Sequence, residues 1–161
     1  MAFEKMIKKA FDESLNDCRF GDTLDEIKEI QNYIQNAEKI YIPNKNGIKV
    51  EVLNNILKEY GLPPADILNL NTNTADTSRI PALAKAYIAL DQCDGDLIIA
   101  RGRLGIPGSG SLLIFIDNKG RILTAGTSPS HLIHNKSIET AVENEAREAL
   151  EKIGFKKVGQ Y

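Results

Sequence analysis

The sequence is poor in cysteine, with two in 161 residues. Cys18 and Cys93 form no metal-binding spacing and cannot staple a miniprotein, so they read as free thiols of a reducing cytoplasm. An excess of charge is also missing: Lys and Arg total 20 against 22 for Asp and Glu, a formal net charge of -2. There is no global basic field for nucleic acid, which leaves only a local basic site open. No apolar run approaches the length of a membrane span. Glu4, Lys5, Lys8 and Lys9 interrupt the opening residues, where a secretory signal would be continuously apolar. Repeats and low-complexity linkers are absent too. What remains, at 42% hydrophobic and 26% charged residues, is an ordinary globular composition of one domain's length. The expected compartment is the cytoplasm, with neither a membrane nor a nucleic-acid partner.

The periodicities alternate. Phe3, Met6, Ile7, Ala10, Phe11, Leu15 and Cys18 recur at helical spacing up to Gly21. Thr23 and Glu26 form a capping box ahead of a second helix carrying Leu24, Ile27, Ile30 and Ile34. Lys39–Ile42 is a short strand stopped by Pro43, and Ile48, Val52, Leu53, Ile56 and Leu57 mark a third helix. Ala65–Leu70 reads as a strand, Asn71–Arg79 as a polar loop, and Pro81 as the start of a helix. Asp96–Ala100 is apolar on both faces, hence central in a sheet. Leu112–Ile116 and Arg121–Leu123 form a hairpin around Asn118-Lys119-Gly120. The last helix spans Ser137–Lys152, with Glu143/Arg147 and Glu148/Lys152 at i,i+4, and Phe155–Val158 suits an edge strand. The expectation is a three-layer α/β fold with a mixed sheet: one nucleotide-binding domain over 1–161, made of an N-terminal helix pair (1–37) and a sheet-containing core (38–161).

Four segments carry candidate chemistry. In the strand–turn–helix of Ile40–Lys49, Asn44, Lys45 and Asn46 fall beside the free N–H groups of a helix start, with Lys49 adding charge, and a triphosphate is the natural guest. The plain alternative is a turn with solvated lysines. In Arg101-Gly102-Arg103-Leu104-Gly105-Ile106-Pro107-Gly108-Ser109-Gly110-Ser111, two guanidinium forks accompany four glycines, which let backbone approach a ligand closely. Gly108, Ser109, Gly110 and Ser111 are its expected donors. The glycine order is not that of a dinucleotide fingerprint, and the Gly-Lys-Ser/Thr of a Walker loop is missing. Thr127–His134 holds both histidines, His131 and His134, able to contact phosphate or a substrate oxygen; two histidines lack the third ligand of a zinc site, and capping of the last helix is the alternative. In Asn71–Arg79, Asp76 is the candidate magnesium contact and Thr77 a candidate substrate contact, against a simple solvated loop. Asp91 and Asp94 beside Cys93 disfavour a thiolate, and no Ser-His-Asp grouping is readable.

Lys39–Leu57, with Asn44 at the phosphate turn, resembles the opening strand, loop and helix of the inosine triphosphate pyrophosphatase-like fold. That fold's acidic Asp-Ser-Gly strand end is replaced here by Ala100-Arg101-Gly102, which puts metal-assisted hydrolysis in doubt. Over nearly its full length the chain is more specifically similar to the HcgB family of methanogenic archaea. The similarity lies in Phe11–Leu15, Asn44–Val52, Ile99–Ser111 and Ser128–His134. The resemblance implies a homodimeric guanylyltransferase of the iron-guanylylpyridinol (FeGP) cofactor of [Fe]-hydrogenase, which joins GMP from GTP to a pyridinol hydroxyl and releases pyrophosphate. Under that reading Asn44, Lys45, Asn46 and Lys49 hold phosphates. Arg101 and Arg103 clamp phosphate or an acceptor carboxylate, and Lys45, Arg101 and His131 carry the chemistry. Ser111, His131, His134 and Thr77 meet the substrate, and Mg2+ accompanies GTP. A nucleoside triphosphate pyrophosphatase and a non-catalytic nucleotide-binding module are the rivals. Replacing Arg101 with Ala is expected to cut transfer strongly and leave the protein folded.

Overall fold

A computed structural model describes residues 3–129 and 137–159. Five helices, α1 (Glu4–Leu15), α2 (Leu24–Gln35), α3 (Gly47–Glu59), α4 (Pro81–Gln92) and α5 (Ile138–Glu151), accompany five strands. These are β1 (Ile40–Ile42), β2 (Asp66–Ile67), β3 (Leu97–Arg103), β4 (Gly110–Asp117) and β5 (Ile122–Pro129). They form one mixed sheet in the order β2-β1-β3-β4-β5, parallel across the first three and antiparallel from β3 onward.

The alternation of β3 divides the core. Leu97 and Ile99 join a cluster with Leu53 and Leu57 of α3 and Val142, Ala146 and Leu150 of α5. Ile98 and Ala100 face Ala82, Ala86 and Ala89 of α4 on the other side. Side chains on opposite faces of a strand thus bury against different helices, and three layers result. The capping box forms as read: Glu26 N–H donates to Thr23 Oγ1 at 3.2 Å, and Thr23 N–H to Glu26 Oε1 at 2.7 Å. No helix among the described residues is long and apolar enough to cross a membrane.

Several expectations need correction. The strand read as Ala65–Leu70 contracts to Asp66–Ile67. The central strand does not end at Ala100: Arg101, Gly102 and Arg103 continue the ladder opposite Leu113, Leu112 and Ser111. Gly102 is needed there because a Cβ would fall 2.4 Å from the Ala82 amide nitrogen, so the bare Cα admits the first turn of α4 onto the sheet. The hairpin extends to Pro129, well past Leu123. Phe155–Val158 is not a strand; Phe155 is buried, and Val158 N–H donates to Glu59 O at 2.8 Å beyond the end of α3. Arg147 does not pair along its helix with Glu143 but crosses to Glu59, Nη1 to Oε2 at 2.6 Å. The helical pattern of α1 is correct, yet none of its residues is buried.

Candidate functional site

Strand β1 leads through α3 toward one edge of the sheet, while β3 leads into β4 toward the other. The chain therefore diverges at the carboxyl ends of two adjacent parallel strands, which leaves a crevice there. A cleft of about 340 Å³ occupies this place. Asn44 and Lys45 line it from the β1–α3 turn, Lys49 from the first turn of α3, and Arg101, Arg103 and Ser111 from the β3–β4 hairpin. Thr72, Asn73 and Asp76 come from the loop before α4, and Lys85 from α4 itself. Five cationic side chains thus surround one lining carboxylate, Asp76. A larger depression of about 790 Å³ lies at the amino ends of β1 and β3, beside Tyr33 and Asp96. It is lined by Glu4, Glu29, Glu38 and Asp96 against Lys5 alone, the wrong charge for a polyanion.

The cations of the cleft are crowded. Burial pushes the Lys49 ammonium below its usual pKa, and the charges of Arg101 and Lys85 push it further, with Glu145 opposing. Such a group gains from an arriving phosphate. Lys85 approaches Asp76 Oδ1 at 3.4 Å. Arg101 is already engaged: Nε donates to Glu145 Oε1 at 2.7 Å and Nη2 to Oε2 at 3.1 Å. Glu145 is fully buried, and the Ser128 hydroxyl also donates to it. The carboxylate reaches Arg101 because α5 lies directly on β5. A Cβ on Gly126 would fall 1.9 Å from the Glu145 carbonyl oxygen, so only glycine permits that approach. The expectation that Arg101→Ala leaves the fold intact is therefore revised: it would strand a buried carboxylate, a change that typically costs about 3–5 kcal/mol.

Other expected contacts are spent within the protein. Asn46 is not in the cleft; its side-chain oxygen caps α3, accepting from Ile48 N–H at 3.0 Å and Lys49 N–H at 3.4 Å. Those are the amides the sequence offered to an anion. Asn44 Oδ1 accepts from Asn46 N–H at 2.8 Å and tightens the same turn. Arg103 lines the cleft, but its Nε and Nη2 donate to the carbonyls of Gly105 and Ser78, each at 3.0 Å, tying two loops together. Gly108, Ser109 and Gly110 shape the hairpin tip away from the cleft. The Ser109 hydroxyl lies 2.6 Å from the carbonyls of Leu104 and Ile106, and a Cβ on Gly110 would strike the Ser128 carbonyl. Thr77 is also outside, its hydroxyl donating to Thr74 O at 2.7 Å; Thr72 and Asn73 take the place on the cleft wall. His131 and His134 lie outside the described residues.

Sequence reasoning missed Lys85 and Glu145. Each carried a signal: Lys85 is the one charge in the apolar run Pro81–Leu90, and Glu145 interrupts the stripe formed by Ala141, Val142, Ala146 and Ala149. Among the described residues, no group of three His, Cys, Asp or Glu side chains could hold a metal by itself. Asp76, exposed at the cleft wall, suits a magnesium ion that takes one protein carboxylate and its other ligands from phosphates and water. A family model described as FeGP cofactor biosynthesis protein HcgB, guanylyltransferase, matches residues 3–155.

Proposed function

The chain belongs to the HcgB family, the guanylyltransferases of FeGP cofactor biosynthesis, and from that premise we propose that the cleft binds GTP and transfers its GMP to a pyridinol hydroxyl. The observation that carries this reading is the convergence of Lys45, Lys49, Lys85 and Arg101, from three separate elements, on one crevice. A lone basic residue on a surface is solvated; four around one cleft make a local positive potential that favours a polyanion, even with Glu145 behind Arg101 and Asp76 beside Lys85.

The transfer forms a bond between the pyridinol oxygen and the α-phosphorus and breaks the bond from that phosphorus to the bridging oxygen. Pyrophosphate leaves with the electron pair, and the hydroxyl proton passes to solvent. A pyridinol hydroxyl is acidic enough to react without a strong base, so the protein's task is in-line placement and neutralisation of growing charge. Lys45, Lys49 and Lys85 take the phosphate tail, Arg101 the oxygens where charge develops, and Ser111 and Asn44 add polar contacts. Arg103 acts by shaping the hairpin. Asp76 would hold magnesium, which would neutralise phosphate charge when bound. His131 and His134 are assigned to the acceptor on sequence grounds alone. The homodimer is assigned to the apolar side of α1, where Ile7, Phe11 and Leu15 are exposed.

Incubation with GTP and a synthetic pyridinol, followed by mass spectrometry, tests the reaction. A guanylylated pyridinol together with pyrophosphate is expected. GMP and pyrophosphate formed at the same rate without acceptor would establish a pyrophosphatase instead, and GTP binding without turnover a non-catalytic module.

A further inference from the structure

The side chain most firmly tied to the cleft is one that does not line it. Every other buried position on α5 is apolar, namely Ala141, Val142, Ala146, Ala149 and Leu150. A fully buried carboxylate is costly, and where stability alone matters an apolar residue serves as well or better. We propose that Glu145 is the positioning residue for Arg101, holding its guanidinium at the one orientation that meets the phosphates; this rests on the assignment of Arg101 to the phosphates above.

The geometry has three parts. Glu145 takes the Nε and Nη2 edge of Arg101 in two parallel bonds, while Nη1 has no hydrogen bond among the described residues and Arg101 lines the cleft. A guanidinium gripped along one edge cannot swing, so little freedom is lost when a phosphate arrives. The carboxylate is itself fixed, by the Ser128 hydroxyl of β5 and by α5 seated on Gly126, with Thr124 Oγ1 donating to Ala149 O at 2.6 Å one turn on. Glu145 also offsets the repulsion among Arg101, Lys49 and Lys85, so the cations remain together before any ligand binds.

Positioning and simple electrostatics predict opposite signs. Removing a negative charge from behind an anion site should strengthen anion binding; removing the support of Arg101 should weaken it. The test is titration calorimetry of the full chain with inorganic pyrophosphate, well below each variant's melting temperature. Glu145→Gln keeps the shape and loses the charge, and is expected to bind about tenfold more weakly. Ser128→Ala keeps the ion pair but removes one of the two hydrogen bonds that Glu145 Oε2 accepts, with an expected loss of about threefold. In the double variant Arg101→Met/Glu145→Gln, which leaves no unpaired buried charge, affinity should match that of Arg101→Met alone. Unchanged or tighter binding by Glu145→Gln overturns the proposal. If that variant does not fold, unchanged binding by Ser128→Ala overturns it. If the double variant binds as well as the wild type, or the wild type does not bind pyrophosphate, the assignment of the cleft to phosphates fails instead.

Discussion

Lys49 is the residue whose charge state decides most at the cleft. Its pKa in the folded protein lies below the ordinary 10.5 because of burial first, then the charges of Arg101 and Lys85, while Glu145 pulls it upward. Between the lowered value and 10.5 the unfolded chain binds more protons than the folded one, so the ligand-free protein gains stability as pH rises through that window. If the cleft holds GTP as proposed, its binding is expected to show the opposite trend. It needs the ammonium and weakens as pH rises through the same window. Calorimetric titrations across alkaline pH, set beside thermal melts, should show the two slopes opposed. In Lys49→Met both slopes should shrink, and GTP affinity at neutral pH should fall about tenfold or more, the worth of a charge-assisted phosphate contact. Identical alkaline slopes in Lys49→Met and the wild type would show that another group titrates.

At the scale of elements, the cleft depends on two close approaches that only glycine permits, α4 on β3 at Gly102 and α5 on β5 at Gly126. Their tolerances differ in consequence. A methyl group on Gly126 would push α5 away from β5 and carry Glu145 from Arg101. Gly126→Ala should therefore cost about 1–3 kcal/mol in denaturant unfolding, the usual penalty of overpacking, and slow guanylyl transfer more than it raises the KM for GTP. A variant as active and as stable as the wild type would mean that α5 can shift without consequence. The short elements were the least readable for a related reason. β2 is two residues long, and the Arg-Gly-Arg end of β3 resembles a loop in composition, because its glycine answers to a helix beginning some twenty residues earlier in the chain.

In the molecule as a whole, α1 keeps part of its apolar side exposed among the described residues. Its pattern is amphipathic, but Ile7, Phe11 and Leu15 stay exposed, and Leu24 at the start of α2 is exposed as well. Met6 packs against the core, but a helix side left partly exposed among the described residues gains stability when another surface covers it. If a second copy does so, Phe11→Glu should convert a dimer to a monomer in sedimentation velocity, with the fold retained because no buried contact of the protomer is lost. An unchanged dimer would move the interface elsewhere.

What the sequence determined by itself was the helices, from periodicity and caps, a central strand, from apolar residues on both faces, the cations beside two strand ends, and the family, but not the strand bounds or the fate of Phe155–Val158. Apart from the family, which is matched over residues 3–155, these are local properties, written in single short segments. Tertiary structure alone decided which of those groups are available to a ligand. Asn46 and Ser109 have the right chemistry and are consumed by their own turns. Arg101 is committed along one edge to a glutamate 44 residues away, and Lys85 enters the cleft from a helix that reads as core. A side chain's type is fixed by its position in the chain, but its unspent hydrogen bonds and its charge state depend on what packing brings against it.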